Sequence, residues 1–317
     1  MQFDPRSIPA GAVEGHWQAA DGHKVRHIEW PARPDDVPRR GAMLFMPGRG
    51  DAYEKYLESF EHWRLQGWQV TAADWRGQAA SGRIGNDPVT GHIDDFALWV
   101  ADLAEFWAEW ARSRSGPLVL AGHSMGGHLV LRAAAEKVLM PAPDALVLSA
   151  PMLGTHPLFV PLWLQEASAK LMTIIGDPRR PAWKWSEKPG QLPLGRQTLL
   201  THDDDRYADE GWWRENRPEI VMGPGSWGWV LAATRSMRLL DDPAMLAQVD
   251  MPVFLLCTAH DRLVSAPACR HAARHIPHCE LLEMGKEAAH EILREADPVR
   301  LTALAAIDAF LGRVAAN

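Results

Sequence analysis

A serine flanked by glycines lies where an apolar run meets a helical pattern, in the stretch VLAGHSMGGHLVLRAAAE (119–136). The spacing Gly122-x-Ser124-x-Gly126 is the nucleophile-elbow pattern, in which small neighbours leave room for a serine in a strained turn. A serine at such a turn can instead simply cap the helix. The pattern alone is weak evidence, so residues elsewhere in the chain have to decide between the two interpretations.

A serine hydroxyl becomes a nucleophile when a base removes its proton and an acid orients that base. Asp261 follows the apolar run MPVFLLCT (251–258), and His290 lies after the next run, CELLEM (279–284). Both therefore belong at the carboxyl ends of parallel strands, which share one edge of a sheet. We predict that Ser124 is the nucleophile, His290 the base and Asp261 the orienting acid, in the chain order that a nucleophile elbow requires.

Other acids and histidines are less well placed for this chemistry. Asp144 precedes its strand and therefore belongs at the opposite edge of the sheet. The same holds for the histidines that lead into the 279–284 run, which are His271, His275 and His278. His260 adjoins Asp261, so its side chain is expected to point away from the site.

The oxyanion that forms during acyl transfer needs two backbone N–H donors. One is expected from Met125, directly after the nucleophile, and the other from Arg49 in the loop PGRGDAYEKY (47–56). The Arg49 side chain either contacts a polar or phosphate head group or lies in solvent. The candidate substrate contacts are Gly48, His123, Trp227 and Trp229.

Short apolar runs alternate with helical patterns along the chain, an arrangement that predicts a parallel sheet flanked by helices. HKVRHIEW (23–30) is predicted to be an early antiparallel strand. The predicted buried strands are 41–47, 67–74, 117–122, 144–150, 251–258 and 279–284, and the predicted helices are 53–66, 94–112, 124–139, 265–275 and 290–313. The aromatic stripe of 94–112 favours a helix packed on the sheet.

The alternation stops near residue 151 and resumes near 245. Proline is frequent between these points, and seven of the 15 tryptophans lie there. We interpret 151–240 as an inserted, mainly helical cap over the active edge of the sheet, with 1–150 and 241–317 forming the core. Within the cap, 160–175 is predicted to be a helix whose apolar side packs on the main domain. The alternative is that this helix rests on a membrane surface.

Composition limits the partners and the compartment. The 33 basic and 40 acidic residues give a net charge of −7, which argues against nucleic acid and against electrostatic capture by anionic membranes. Three cysteines provide no disulfide framework. The start MQFDPRSIPAGAVEG does not resemble a signal peptide, and no apolar run approaches the ~20 residues of a transmembrane helix. We expect a cytoplasmic protein, with a peripheral position at the inner membrane as an option.

No metal or organic cofactor is expected. AHEILR has Arg294 where a zinc-protease motif has its second histidine. The spacing of the group that runs from Cys269 to Cys279 matches no standard zinc site. The run DDDRYADE does not have the glycine and final glutamate of a calcium loop.

Over roughly 40–313 the chain resembles the α/β-hydrolases, and within them the bacterial lysophospholipase and monoacylglycerol-lipase-like serine hydrolases. The matching stretches are PGRGDAYEKY, DWRGQAASGR, GHIDDF, GHSMGG, AHDRLVS and AHEILRE, with GPGSWGWVLAATRSM similar to the lysophospholipase branch. Two positions depart from the pattern, because Pro47 replaces a frequent histidine and Ala79 a glycine.

This resemblance implies an α/β-hydrolase fold, the triad Ser124, Asp261 and His290, and oxyanion donors at Arg49 and Met125. It also implies cleavage of a carboxylic ester through an acyl-enzyme, with a lysophospholipid or a monoacylglycerol as substrate. Two other functions stay open at this point. One is a short-chain carboxylesterase, and the other is a non-catalytic ligand-binding protein on the same scaffold.

Overall fold

A computed structural model describes residues 3–31, 38–185 and 194–316 and shows an eight-stranded sheet. Its strands are β1 (Val13–Gln18), β2 (Lys24–Trp30), β3 (Gly41–Met46), β4 (Trp68–Ala73), β5 (Leu118–His123), β6 (Ala145–Ser149), β7 (Val253–Thr258) and β8 (Cys279–Met284). Their order across the sheet is β1-β2-β4-β3-β5-β6-β7-β8. The pairs β1–β2 and β2–β4 are antiparallel and the others parallel.

Helices cover both faces of the sheet. They are α1 (Leu57–Leu65), α2 (Phe96–Ala111), α3 (Met125–Ala135), α4 (Leu162–Ile174), α5 (Leu194–Leu200), α6 (Asp204–Asn216), α7 (Trp227–Leu240), α8 (Pro243–Leu246), α9 (Ala266–His275) and α10 (Asp297–Val314). Helices α2, α3 and α9 pack on one face, and α1 and α10 on the other. Strands β3, β5, β6 and β7 are buried along their whole length, as parallel strands covered on both faces must be. The predicted α/β-hydrolase fold is confirmed.

Each strand predicted from the sequence is present, and β2 pairs in the predicted antiparallel sense. The aromatic stripe of α2 is buried, as expected of a helix packed on the sheet. Strand β1 was missed because only Trp17 of its six residues is buried, which leaves no alternating pattern to read. The last helix begins at Asp297 rather than at residue 290, so His290 lies in a loop before it.

Helices α4 to α8 lie in the connection between β6 and β7. Helix α4 packs along α7. Only Ala169 of α4 is buried, so the expectation that the apolar side of this helix packs on the main domain is wrong. In the described part of the chain, no helix has both the length and the apolar character needed to cross a bilayer.

Candidate active site

Ser124 lies at the turn between β5 and α3, with φ of 52° and ψ of −117°. The turn needs glycine on both sides. A Cβ at Gly122 would lie 2.7 Å from the carbonyl carbon of Gly126, and one at Gly126 would lie 2.1 Å from the Met46 carbonyl oxygen. The Ser124 side chain makes no capping hydrogen bond to α3. The capping interpretation therefore fails, and the strained turn instead presents the hydroxyl away from the sheet.

The three residues expected to form the triad are hydrogen-bonded in sequence. Nε2 of His290 lies 3.0 Å from Oγ of Ser124, and its Nδ1 lies 2.7 Å from Oδ2 of Asp261. The other Asp261 oxygen, Oδ1, accepts backbone N–H groups from Leu263 at 2.8 Å and Val264 at 2.9 Å. With its proton on Nδ1, His290 donates to Asp261 and accepts the Ser124 hydroxyl hydrogen at Nε2.

The charges around this group favour an ionised aspartate beside a basic imidazole. Burial tends to raise the pKa of Asp261, but the His290 charge and three hydrogen bonds lower it below its ordinary value. Burial tends to lower the pKa of His290, but Asp261 outweighs it and raises that pKa. Burial, with a smaller effect of His290, lowers the pKa of His123 to about 4. His123 is therefore a neutral neighbour, with its ring centroid 4.8 Å from that of His290.

The loop after β3 passes directly beside the serine. A Cβ at Gly48 would lie 3.2 Å from the Cβ of Ser124. The Gly48 N–H donates to Oδ2 of Asp51 at 3.2 Å and is therefore already paired. The next backbone N–H along this loop belongs to Arg49, the predicted donor. Met125 is the first residue of α3, where a backbone N–H has no acceptor within the helix. Arg49 and Met125 thus belong to the two chain segments next to Ser124, and their N–H groups remain the predicted oxyanion donors.

A cavity of about 490 Å³ opens above Ser124 and His290. Its polar side chains include Arg49, Asp51, Lys55, Arg196 and Glu291, and its apolar ones include Met152, Trp183, Leu199, Leu200, Met222, Trp229, Val230, Leu263 and Val264. The site thus combines a charged wall with a larger apolar wall supplied mainly by the β6–β7 connection. Lys55, Arg196 and Glu291 were not predicted as site residues. Lys55 and Glu291 lie in stretches that match the family, PGRGDAYEKY and AHEILRE, but nothing in those stretches assigns either residue a role.

Three of the four candidate substrate contacts, Gly48, His123 and Trp229, line this cavity. Trp227 is not among the residues that line it. Successive helical residues are about 100° apart, so Trp227 and Trp229 on α7 point in different directions.

The Arg49 side chain contacts the β6–β7 connection and does not extend into solvent. Its Nη2 donates to the Gly223 carbonyl at 2.6 Å. The guanidinium carbon lies 4.9 Å from the ring centroid of Trp183 and 5.2 Å from that of Trp229, within cation–π distance. Arg49 therefore forms a cationic, aromatic-flanked part of the cavity wall.

Ser226 is the second serine in a glycine-rich stretch, and its surroundings differ from those of Ser124. It is fully buried, and its Oγ accepts the Trp229 N–H at 3.0 Å as the N-cap of α7. Nδ1 of His92 also lies 2.8 Å from this oxygen. A buried capping hydroxyl has no access to a substrate. Across residues 3–31, 38–185 and 194–316, no group of three His, Cys, Asp or Glu side chains is arranged to hold a metal ion.

Comparison with known proteins agrees with this geometry. A family model described as serine aminopeptidase, S33, matches residues 37–297. Lysophospholipase L2 of Escherichia coli is 30% identical over 322 aligned residues, which cover 95% of this chain and 87% of that protein. A probable lysophospholipase L2 of Haemophilus influenzae is 26% identical over 90% of this chain and 87% of its own length.

Solved structures give the same fold at lower identity. A soluble variant of monoglyceride lipase from Saccharomyces cerevisiae superposes with a TM-score of 0.77 at 20% identity, covering 98% of both chains. A carboxyl esterase from Bacillus coagulans gives 0.73 at 16%, covering 97% of this chain and all of that one. The resemblance seen in the sequence is confirmed, and the chain belongs to the serine aminopeptidase, S33, family of α/β-hydrolases.

Proposed function

We propose that this protein is a serine hydrolase that cleaves the single acyl ester of a lysophospholipid or a monoacylglycerol. The observation that carries the proposal is the hydrogen-bonded series Ser124–His290–Asp261 at a cavity whose wall is mostly apolar. Residues 151–240 act as the cap over this site, and 1–150 with 241–317 as the catalytic core. The reaction uses no metal or organic cofactor.

The proposed reaction proceeds through an acyl-enzyme. Oγ of Ser124 attacks the ester carbonyl as Nε2 of His290 takes the hydroxyl proton, and the Arg49 and Met125 N–H groups stabilise the oxyanion. His290 then protonates the leaving alcohol, and the C–O bond to it breaks. Water attacks the acyl-enzyme, with His290 again taking a proton, and the fatty acid leaves as Ser124 recovers its hydrogen. Asp261 keeps the imidazole oriented and stabilises its charged form.

The cavity favours an ester over a peptide with a free N-terminus. An aminopeptidase needs a carboxylate to receive the substrate ammonium, and two carboxylates, Asp51 and Glu291, do line the cavity. Both are already bonded to the Lys55 ammonium. The relatives named as lysophospholipases and the fold shared with a monoglyceride lipase support an acyl chain in the apolar part.

Acyl-chain length and head group test this proposal together. With matched acyl chains, we expect release of fatty acid from a lysophospholipid and from a monoacylglycerol, measured directly as the free acid. Each added methylene that becomes buried contributes about 0.8 kcal/mol, so kcat/KM for simple esters should rise about fourfold per methylene until the cavity is filled. Arg49→Met should lower kcat/KM for the anionic-phosphate substrate more than for the glyceride.

Other outcomes favour the alternatives. A kcat/KM that peaks at a butyryl ester supports a short-chain carboxylesterase. Turnover of an aminoacyl anilide in preference to every ester contradicts ester hydrolysis. Absence of any turnover, together with no reaction between Ser124 and a fluorophosphonate, supports a binding protein.

The exposed face of α4 suits a lipid surface, and we propose that it contacts the membrane, at the cytoplasmic face of the inner membrane. Phe159, just before α4, is 86% exposed, Trp163 is 61% exposed and Ile174 is 71% exposed. Gln165 of the same helix lines the catalytic cavity, so α4 lies between the cavity and its own exposed apolar side. Apolar area of this kind binds at the bilayer interface without basic charge.

Trp163→Ser combined with Ile174→Ser should weaken binding to zwitterionic phospholipid vesicles by at least about tenfold. The reason is that burial of one large apolar side chain contributes about 1.5–3 kcal/mol to binding. Vesicle flotation measures the bound fraction. The matched control is Leu301→Ser on α10, which removes a 53% exposed leucine from another face. If the α4 double variant and Leu301→Ser bind vesicles equally well, α4 does not contact the membrane.

A further inference from the structure

Lys55 is a buried cation beside the catalytic cavity, within the 3-10 turn Tyr53–Tyr56. Its ammonium is bonded to three carboxylates from different parts of the chain. Nζ lies 2.9 Å from Oδ1 of Asp51, 3.2 Å from Oε2 of Glu210 and 2.5 Å from Oε1 of Glu291. These side chains are each about 5% exposed or less, so the contacts are held away from water.

Each carboxylate belongs to a segment that builds the site. Asp51 accepts the Gly48 N–H at 3.2 Å and the Tyr56 hydroxyl at 2.6 Å, and thereby fixes the loop that carries Arg49. Glu291 directly follows His290, and its backbone N–H donates to the Leu200 carbonyl at 2.7 Å. Glu210 belongs to α6. One ammonium therefore joins the oxyanion loop, the histidine loop and the β6–β7 connection.

Arginines on neighbouring elements complete the cluster. Arg294 is bonded to Glu291 and lies 3.6 Å from Glu210, whose other oxygen lies 3.0 Å from Arg196 and 3.7 Å from Arg214. Removing one partner of a buried ion pair leaves an uncompensated charge, which is strongly destabilising. The carboxylates of the cluster therefore depend on Lys55 and on these arginines for their charge balance.

Lys55 and Glu291 keep their charges near neutral pH. Burial tends to lower the pKa of Lys55, but the three carboxylates outweigh it and raise that pKa. Burial tends to raise the pKa of Glu291, but Lys55 and Arg294 lower it to about 2. Glu291 and Asp51 also face His290 and raise its pKa, in addition to Asp261, while His123 opposite is neutral. Lys55 offsets part of this negative charge.

We infer that Lys55 is a positioning residue of the proposed reaction. Its ammonium keeps the loop that carries Gly48 and Arg49 in register with the loop that carries His290, so that oxyanion donors and base act on the same carbonyl. This inference rests on the proposed function.

Lys55→Met should lower kcat for ester hydrolysis by about 100-fold with KM nearly unchanged, because small displacements of catalytic groups cost rates of this order. It should also move the acidic limb of the kcat/KM profile to higher pH. His290 must be neutral to act as base, and removal of a nearby cation raises its pKa. The matched control is Lys137→Met, which removes an exposed lysine paired with Asp250 at 3.4 Å and should leave kcat and the limb unchanged.

Glu291→Gln provides the opposite electrostatic change. It removes a carboxylate that raises the pKa of His290, so the acidic limb should move to lower pH. It also breaks the bond from Lys55 to the histidine loop, so kcat should still fall by about tenfold or more. If Lys55→Met does not fold, the kcat and the acidic limb of Glu291→Gln alone test the inference.

Opposite shifts of the limb with reduced kcat in both variants support the inference. A folded Lys55→Met with wild-type kcat overturns it. So does a loss of kcat that is fully explained by a smaller folded fraction, with the acidic limb of the kcat/KM profile at its wild-type pH. The inference also fails if the acidic limb of the kcat/KM profile of Glu291→Gln lies at the wild-type pH. The wild type is tested in parallel with a fluorophosphonate, and if Ser124 does not react, the proposed function fails. If Ser124 reacts and the variants behave as wild type, only the role of Lys55 fails.

Discussion

We expect Ser124→Ala to lower kcat for fatty-acid release by about a million-fold, because the whole acylation route depends on one hydroxyl. The fold should be retained. Alanine and serine have the same backbone preference at the positive φ of 52°, and the serine side chain caps no helix whose stability would be lost. The residual rate should reflect binding and the oxyanion donors alone.

Single-turnover release of fatty acid measures this loss, with circular dichroism to show that the variant is folded. Ser226→Ala is the matched control. It removes a serine hydroxyl from the other glycine-rich stretch, at the N-cap of α7, and should cost about 1 kcal/mol of stability while kcat stays close to wild type. Retention of activity by Ser124→Ala would transfer the nucleophile to another residue and end the triad assignment.

Asp261→Asn should lower kcat by about 10⁴-fold, a loss about a hundredfold smaller than that expected from removal of the nucleophile. The reason lies in the partners of the two carboxylate oxygens. Oδ1 accepts N–H groups from Leu263 and Val264, so the carbonyl oxygen of an asparagine must take that place. Its NH₂ group then faces Nδ1 of His290, which becomes an acceptor. The ring proton moves to Nε2, where it points at Ser124 and blocks proton removal.

The rate of acylation by a chromogenic ester, measured from pH 5 to 10, tests this effect. Asp144→Asn is the matched control, because Asp144 caps the other edge of the sheet by accepting the Leu118 N–H at 2.7 Å. That variant should keep its kcat. A folded Asp261→Asn with near wild-type acylation would show that His290 is oriented by some other group.

Much of the site could be predicted from the sequence because parallel strands bring their carboxyl ends to one edge. Ser124, Asp261 and His290 each follow a strand of this sheet, so order along the chain was enough to expect them together. The buried Lys55 cluster offered no such rule. Lys55 and Glu291 are 236 positions apart, and nothing local in either segment indicates the other.

Elements whose environment is set by distant parts of the chain were the ones misjudged. The periodicity of 160–175 correctly indicated a helix, but a pattern of apolar residues does not tell what covers them. Within the part of the chain that the structure describes, most of the apolar side of α4 is exposed. The same limit applies to Trp227, since its proximity in sequence to Trp229 does not tell which side of α7 faces the cavity.

The connection that carries α4 to α8 leaves β6 and returns at β7, and these two strands are hydrogen-bonded neighbours, with Leu146 opposite Val253 and Ser149 opposite Leu256. Because the two strands are parallel, the connection leaves at the carboxyl end of β6, the edge that carries the site, and returns at the amino end of β7, about 10 Å away along the strand direction. Both strands are held in place by the sheet itself, so the segment of about a hundred residues between them can lengthen, shorten or be exchanged during evolution without altering strand order or displacing the nucleophile. Lineages descended from such a chain can thus acquire new substrates by changing this one connection while they inherit the chemistry unchanged.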